Sequence, residues 1–336
     1  MDNVMVPADQ LKKLIIKRLT EVKLPQADAE TVADVLVFAE LRGVVSHGVV
    51  RVEHYCNRIK AGGINLAPGF QVEFVKPTMG RLDAKGGMGH VASKLAAEKA
   101  LEKAREHGMA MVGILNSSHN GALAYYAQMA LDKKMAALVC THTDRLVAPF
   151  GGRFAFLGSN PMAFAFPGRK QNILVDMATS EIPWGKVINH RMEKKPLPPG
   201  LVQDAEGNPT TDADKAVSLT SFGGVKGYSI SIMIEALTGL LVGGVFGPHL
   251  AKMYDNIGEY RNLSNFFLAI DPSVFYGGGD GFLDVAQRMI DELHAQSPKE
   301  GFEKVMAPGE IEEMRIAKNA AAGIAVPKGI YDYLAG

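Results

Sequence analysis

Six strand-length runs, at 71–75, 80–84, 109–116, 135–140, 161–166 and 173–176, constrain this chain more than any other feature. Helical patterns at 90–107, 122–133 and 228–242 alternate with them. Runs this short need a sheet to bury them, and the intervening helices need a sheet face to cover. The reading is a mixed α/β body from about Phe70 to Ile270. Helical patterns flank it, at 8–22, 28–42 and 46–61 before it and at 282–296, 309–321 and 327–334 after it. The two ends are expected to pack together. Asp28 and Ser46 read as N-caps of the second and third helices. The stretch 191–224, with four prolines, reads as a loop of functional length.

Charge and cysteine usage exclude several classes. Lys plus Arg and Asp plus Glu number 36 each, without a long basic run, so nucleic acid and anionic membrane are not expected partners. Cys56 and Cys140 are too few for a disulfide framework and point to a reducing cytoplasm. The N-terminus lacks a basic start followed by an apolar core, so no signal peptide is expected. The most apolar stretch, 229–246, holds Glu235 and three glycines, which reads as a buried core helix rather than a membrane span.

Chemistry gathers at two histidines. The run from Val112 ends in Asn116-Ser-Ser-His119-Asn-Gly and then turns helical, placing an imidazole where a strand end opens onto a crevice. Histidine titrates nearest neutrality and can take and return a proton, although a capping histidine would read the same way. Ser46-His47-Gly with Arg51 starts the third helix, and a helix N-terminus plus a guanidinium fork suits a carboxylate. A capping serine with a solvated arginine is the plainer alternative. Together the two clusters point to a small anionic substrate. Gly87-Met-Gly89-His-Val-Ala92 matches a dinucleotide fingerprint, but the following strand ends without an acidic residue, so a tight turn is the preferred reading. A metal site of His119, His142 and Asp144, joined by His47, is the rival class and would make the chain a hydrolase or lyase.

The motifs also occur in a familiar order. Ser46-His47-Gly with Arg51, Asn116 to Gly121, Ala148-Pro-Phe-Gly-Gly152, Gly158-Ser-Asn-Pro161, Asp176-Met-Ala-Thr-Ser180, Gly185-Lys186 and Lys226-Gly-Tyr228 together resemble the type 2 malate/L-lactate dehydrogenase family. The resemblance implies a non-Rossmann mixed-sheet cofactor domain and a helical domain formed from N- and C-terminal segments. The corresponding parts are 1–69, 70–304 and 305–336. It implies hydride transfer between a 2-hydroxy acid and NAD, with NADP as the alternative, in a homodimer and without a metal. It implies His119 as the acid/base, with Ser46, His47, Arg51 and Thr143 around the substrate. Met177, Ala178, Thr179, Lys226 and Gly227 would line the cofactor, with Gly309 and Glu310 towards its far end. Segments such as Trp184-Gly-Lys186 and Met253-Tyr-Asp are similar to members that oxidise ureidoglycolate to oxalurate, as in allantoin degradation. Malate, L-lactate or another 2-oxo acid partner stands second. Asn120, His142 and Arg145 depart from the expected pattern and are expected to retune the pocket.

Overall fold

The computed structural model describes residues 2–336. The chain opens with β1 (Asn3–Val6), α1 (Ala8–Glu21), α2 (Gln26–Leu41) and α3 (Val52–Lys60). In α1, Leu11, Ile15 and Leu19 recur every fourth residue and are buried along one stripe. Each such leucine contributes roughly 1.5–3 kcal/mol on leaving water. They share a core with Val32 and Leu36 of α2 and with Ile324, Val326 and Leu334 from the far end of the chain.

The central body follows, with β2 (Val72–Lys76), β3 (Met79–Asp83), α4 (Gly89–His107), β4 (Met109–Ser117), α5 (Ala124–Leu131), β5 (Ala136–Thr141), β6 (Met162–Phe166) and β7 (Ile173–Met177). After it come α6 (Trp184–Glu193), β8 (Val202–Gln203), β9 (Pro209–Thr210), β10 (Ser218–Leu219), α7 (Val225–Glu235) and β11 (Leu263–Ile270). The chain closes with α8 (Gly281–His294), α9 (Glu310–Ala322), β12 (Ile324–Pro327) and α10 (Lys328–Ala335). Among the described residues, seven strands form one sheet in the order β2-β3-β4-β11-β5-β6-β7. Its parallel pair is β3 with β4; the other five pairings are antiparallel. A dinucleotide fold of the Rossmann type needs a mostly parallel sheet, so this mixed sheet rules it out. The fingerprint-like glycines lie where β3 turns into α4, in the crossover that the parallel pair requires. Alanines 92, 96, 97, 100 and 104 let α4 lie close on the sheet, with Val112 and Phe267 beneath.

β12 returns to pair antiparallel with β1, so both chain ends close on one helical core. Several expectations need correction. α2 begins at Gln26 after Pro25, leaving Asp28 inside its first turn rather than at the cap. Ser46 caps no helix: Val45–His47 and Val49–Arg51 are 3-10 turns, and α3 starts only at Val52. The proline-rich stretch is no bare loop. α6 runs into it, β8 pairs with β9 and β10, and Val187, Leu197, Val202 and Leu219 form a small core of their own. The stretch read as a buried helix is half-exposed: α7 and the π turn Ala236–Leu240 leave Ile232, Met233 and Leu240 in solvent. Among the described residues no helix is long and apolar enough to cross a membrane.

Candidate active site

His119 sits on the turn between β4 and α5. Asn116 (φ 53°) and Gly121 (φ 78°) bracket that turn in the left-handed region. Asn116 holds it by donating to Asp83 Oδ1 at 3.0 Å. At Gly121 a Cβ would lie 2.6 Å from Val35 and 3.0 Å from His90, so both conformation and space require glycine there. The turn presents the His119 ring to α3 and α4. Nδ1 stands 2.7 Å from Tyr55 Oη and accepts from the Gly121 N–H at 3.3 Å. The ring stacks on His47, with centroids 5.6 Å apart and planes 26° from parallel. His90 closes the other side at 6.2 Å, nearly edge-on.

His47 therefore meets His119 directly, with Ser46 and Arg51 gathered behind it, although not through a helix N-terminus. Ser46 Oγ is 3.0 Å from His47 Nδ1. Arg51 Nε donates to the Ser46 carbonyl at 2.7 Å, and Nη1 donates to Tyr254 Oη at 2.6 Å. Glu40 holds the turn instead: its Oε1 accepts the Val49 N–H at 2.8 Å, and a Cβ on Gly48 would fall 2.0 Å from that oxygen. Burial pushes the Glu40 carboxyl up to about 7, against the opposing pull of that N–H.

Positive charge and burial dominate the electrostatics. Desolvation first, then His47, Arg51, His90 and Arg261, hold the His119 imidazole well below its ordinary 6.5. Desolvation and Arg51 lower His47 to about 4. The ring nitrogens are therefore neutral at physiological pH, ready to accept a proton rather than already carrying a second one. Arg58 and Arg261 are buried beside the ring and border a small void of about 10 Å³ with Tyr55, Ser118 and His119. Arg261 pairs with Asp144, whose second oxygen accepts the Met253 N–H at 3.3 Å.

Thr143 reaches this cluster only through its neighbour Asp144. Its hydroxyl accepts the Ser159 N–H at 2.9 Å, and its own N–H donates to Asn160 Oδ1 at 3.2 Å. The Asn160 amide then donates to buried Glu235 at 2.7 Å. The rival metal set does not converge. His142 Nε2 accepts the Ser264 N–H at 2.8 Å in the interior, and Asp144 is committed to Arg261. Among the described residues no group of three or more His, Cys, Asp or Glu is placed to hold a metal ion. Of the departures from the pattern, Asn120 is buried against Ser93 and Tyr126, and Arg145 lies in solvent.

The residues expected at the cofactor follow one edge of the molecule. β7 is the last strand of the sheet, and on its outer edge the Leu174 N–H donates to the Pro308 carbonyl at 3.1 Å. At its start Leu174 packs on Gly309, beside a cavity of about 420 Å³ bordered by Leu131, Gln171, Lys304 and Glu310. Glu310 is engaged with His294 and accepts the Ala307 N–H at 3.0 Å. Midway, Asp176 Oδ2 accepts the Ala124 N–H at 2.9 Å, tying the strand to the helix that follows His119. Solvent reaches Asp176, yet surrounding protein desolvates it and pushes its carboxyl up to about 6. At the strand's end Met177 and Ala178 are half-buried, and the Phe222 N–H donates to the Thr179 carbonyl at 3.0 Å, which brings Lys226 and Gly227 alongside. Thr179 itself is fully buried, its hydroxyl donating to the Ser159 carbonyl at 2.9 Å, so that side chain faces inward rather than to a ligand.

Sequence reasoning passed over Tyr55, His90, Arg58 and Arg261. Tyr55 and Arg58 lie four and seven positions after Arg51, the spacing of one helix face, and that signal was readable. Arg261 offered none, because its partner Asp144 is 117 positions away in the chain.

Comparison with known proteins gives the frame for this geometry. The family profile described as malate/L-lactate dehydrogenase matches residues 6–335. Ureidoglycolate dehydrogenase (NAD(+)) of Escherichia coli (strain K12) is 38% identical over 330 residues, covering 98% of this chain and 94% of that protein. The solved sulfolactate dehydrogenase of Methanocaldococcus jannaschii superposes with a TM-score of 0.92 at 35% identity, covering 98% of this chain and 95% of that one. Malate dehydrogenase from Pyrococcus horikoshii OT3 superposes with a TM-score of 0.89 at 32% identity, covering 98% and 93%.

Proposed function

Because this chain belongs to the malate/L-lactate dehydrogenase family, we propose that it oxidises ureidoglycolate to oxalurate with NAD, using His119 to exchange the proton. Family membership makes it a dehydrogenase acting on a 2-hydroxy acid. The observation that carries the finer reading is the convergence of Ser46, His47 and Arg51 on His119. The Arg51 fork suits the substrate carboxylate, and His119 Nε2 suits the hydroxyl one bond away. In oxidation the hydroxyl proton passes to Nε2 as the C–H bond yields its electron pair; in reduction Nε2 returns the proton to the oxygen. Bound nicotinamide cofactor supplies the hydride acceptor. Met177, Ala178, Lys226 and Gly227 would hold its reactive half, and the cavity at Gly309 and Glu310, part apolar and part polar, suits its other end.

Arg58 and Arg261 favour a second reading. Two buried guanidinium groups against one carboxylate also suit a 2-hydroxy acid with a second anionic group, such as malate. Appearance of reduced nicotinamide absorbance separates the two, with ureidoglycolate, malate and lactate each tested against NAD and NADP. Turnover of ureidoglycolate alone supports the first reading; turnover of malate or lactate alone replaces it with the second.

A second copy of the chain suits the apolar surface of α7 and the π turn, where Ile232, Met233, Leu240 and Leu241 are exposed. Light scattering of the purified protein tests this, and a monomeric mass would end the dimer reading. The two buried, free cysteines suit a cytoplasmic setting.

A further inference from the structure

Tyr55 Oη lies between two imidazoles, 2.7 Å from His119 Nδ1 and 3.5 Å from His90 Nε2. The tyrosine is 3% exposed and His90 is fully buried, so the single phenolic proton serves one ring or the other rather than water. We propose that Tyr55 and His90 are positioning residues that hold His119 as its Nε2–H tautomer, so that the resting site offers a donor to the carbonyl oxygen of a 2-oxo acid. This inference rests on the reading of His119 as the proton-exchanging group and extends it to which substrate partner the resting enzyme recognises.

Two fixed features give the chain of hydrogen bonds its direction. The first is the Gly121 N–H, which is a donor only and points at His119 Nδ1 from 3.3 Å. A proton on Nδ1 would face that N–H directly, so Nδ1 is the bare nitrogen and the proton sits on Nε2. The second is His90 Nδ1, which is buried with no hydrogen-bond partner among the described residues. An orphaned N–H at that position is the costlier choice, so the proton of neutral His90 lies on Nε2, facing Tyr55 Oη. Tyr55 then accepts from His90 and donates to His119 Nδ1. Reversing the chain would put N–H against N–H at Gly121 and leave His90 Nδ1–H unpaired, two penalties for one gain.

The remaining groups around the ring do not offer Nδ1 another acceptor. His47 stacks on its face, and Arg51 and Arg261 bring positive charge. Burial first, and that charge second, keep the ring neutral, and in a neutral ring the location of the one proton decides donor against acceptor. With Nε2–H in place, a carbonyl oxygen is met by a donor. A hydroxyl, which must give its proton to Nε2, is met only after the ring proton has moved to Nδ1.

Histidine-labelled protein read by long-range proton–nitrogen correlation at neutral pH tests this without any substrate. The expected result is a bare Nδ1 and a protonated Nε2 for His119. An Nδ1–H ring, or averaging between the two forms, overturns the proposal. Tyr55→Phe should loosen the tautomer and raise the KM of oxalurate in reduction by about tenfold, the effect of one ordinary hydrogen bond, while the KM of ureidoglycolate in oxidation stays level or falls. Equal changes in both constants would reduce Tyr55 to a packing role. His90→Leu should resemble Tyr55→Phe, and His90→Gln, which retains an N–H for Tyr55, should recover most of what the leucine variant loses. Absence of turnover with every 2-hydroxy acid would defeat the proposed function yet leave the tautomer measurement standing.

Discussion

Gly89 donates its backbone N–H to the Ser118 hydroxyl at 2.8 Å, and a Cβ on Gly89 would lie 2.2 Å from the Ser118 carbonyl oxygen. The same Cβ would lie 2.7 Å from the His119 carbonyl oxygen. The glycine that mimics a dinucleotide fingerprint is thus required by close approach of α4 to the histidine turn. Its replacement moves the catalytic candidate itself.

Gly89→Ala should therefore lower both stability and turnover. Forcing a methyl against backbone oxygens costs about 1–3 kcal/mol, and the relief available is displacement of the 118–119 backbone. Thermal melts and steady-state kinetics on the same preparation check this. A variant with wild-type turnover would mean that the turn does not depend on this contact.

His119→Ala should reduce turnover by ~10²-fold or more while leaving the fold intact, the usual scale for losing a general acid/base. Arg51→Met should act chiefly on substrate affinity, since the fork suits a carboxylate present in both ground and transition states. Unaltered substrate affinity in the arginine variant would remove its carboxylate role, and near-normal turnover in the alanine variant would remove His119 from the chemistry.

Stability should depend on pH in two opposing ways. Desolvation first, and nearby positive charge second, hold His47 and His54 at about 4 and His90 at about 3, against 6.5 for an unperturbed ring. Unfolding frees these rings to bind protons, so their contribution is complete above 6.5 and is lost as pH falls from there towards 3. Glu40 runs the other way. Burial raises it from 4.5 to about 7, so its contribution is present below 4.5 and is lost as pH rises through 7. Glu40→Gln, which needs no proton, should gain on wild type between about pH 5 and about pH 8 in urea titrations. A difference that stays constant across that range would rule out Glu40 as the source.

Asp144→Ala should destabilise the protein by about 3–5 kcal/mol, because Arg261 is 2% exposed and would lose its counter-charge in the interior. Asp144→Asn keeps an oxygen for the guanidinium and should lose less. If both variants unfold at the wild-type urea concentration, the pair adds nothing to the fold.

Much of the architecture was readable because it is written locally. Each of the six strand runs corresponds to an observed strand whose ends lie within one residue of those read, since β-branched and apolar clustering marks a strand residue by residue. The central strand β11 was not read at all. Leu263–Ile270 is buried on both faces, by α4 on one side and by α7 and the π turn on the other, and a run without alternation carries no period to distinguish it from helix. β1 and β12 escaped for a different reason: four residues each, they are strands only because the two chain ends meet. Within the site, Ser46, His47, Arg51 and His119 stood in compact motifs. Thr179 stood in one too, yet its side chain turns inward to Ser159.

The amino-acid order alone determined six strands of the central sheet, the helices that flank them, and the histidine and arginine motifs themselves, because each depends on neighbours within a few residues. Tertiary structure decided what those residues face. It brought Tyr55 to Nδ1 of His119 and His90 to the Tyr55 hydroxyl, set Arg261 against Asp144 and placed Glu40 beneath Gly48. Protonation and tautomer follow from burial and from partners distant in the chain, and both exist only once the sheet, α3 and α4 have closed around the ring.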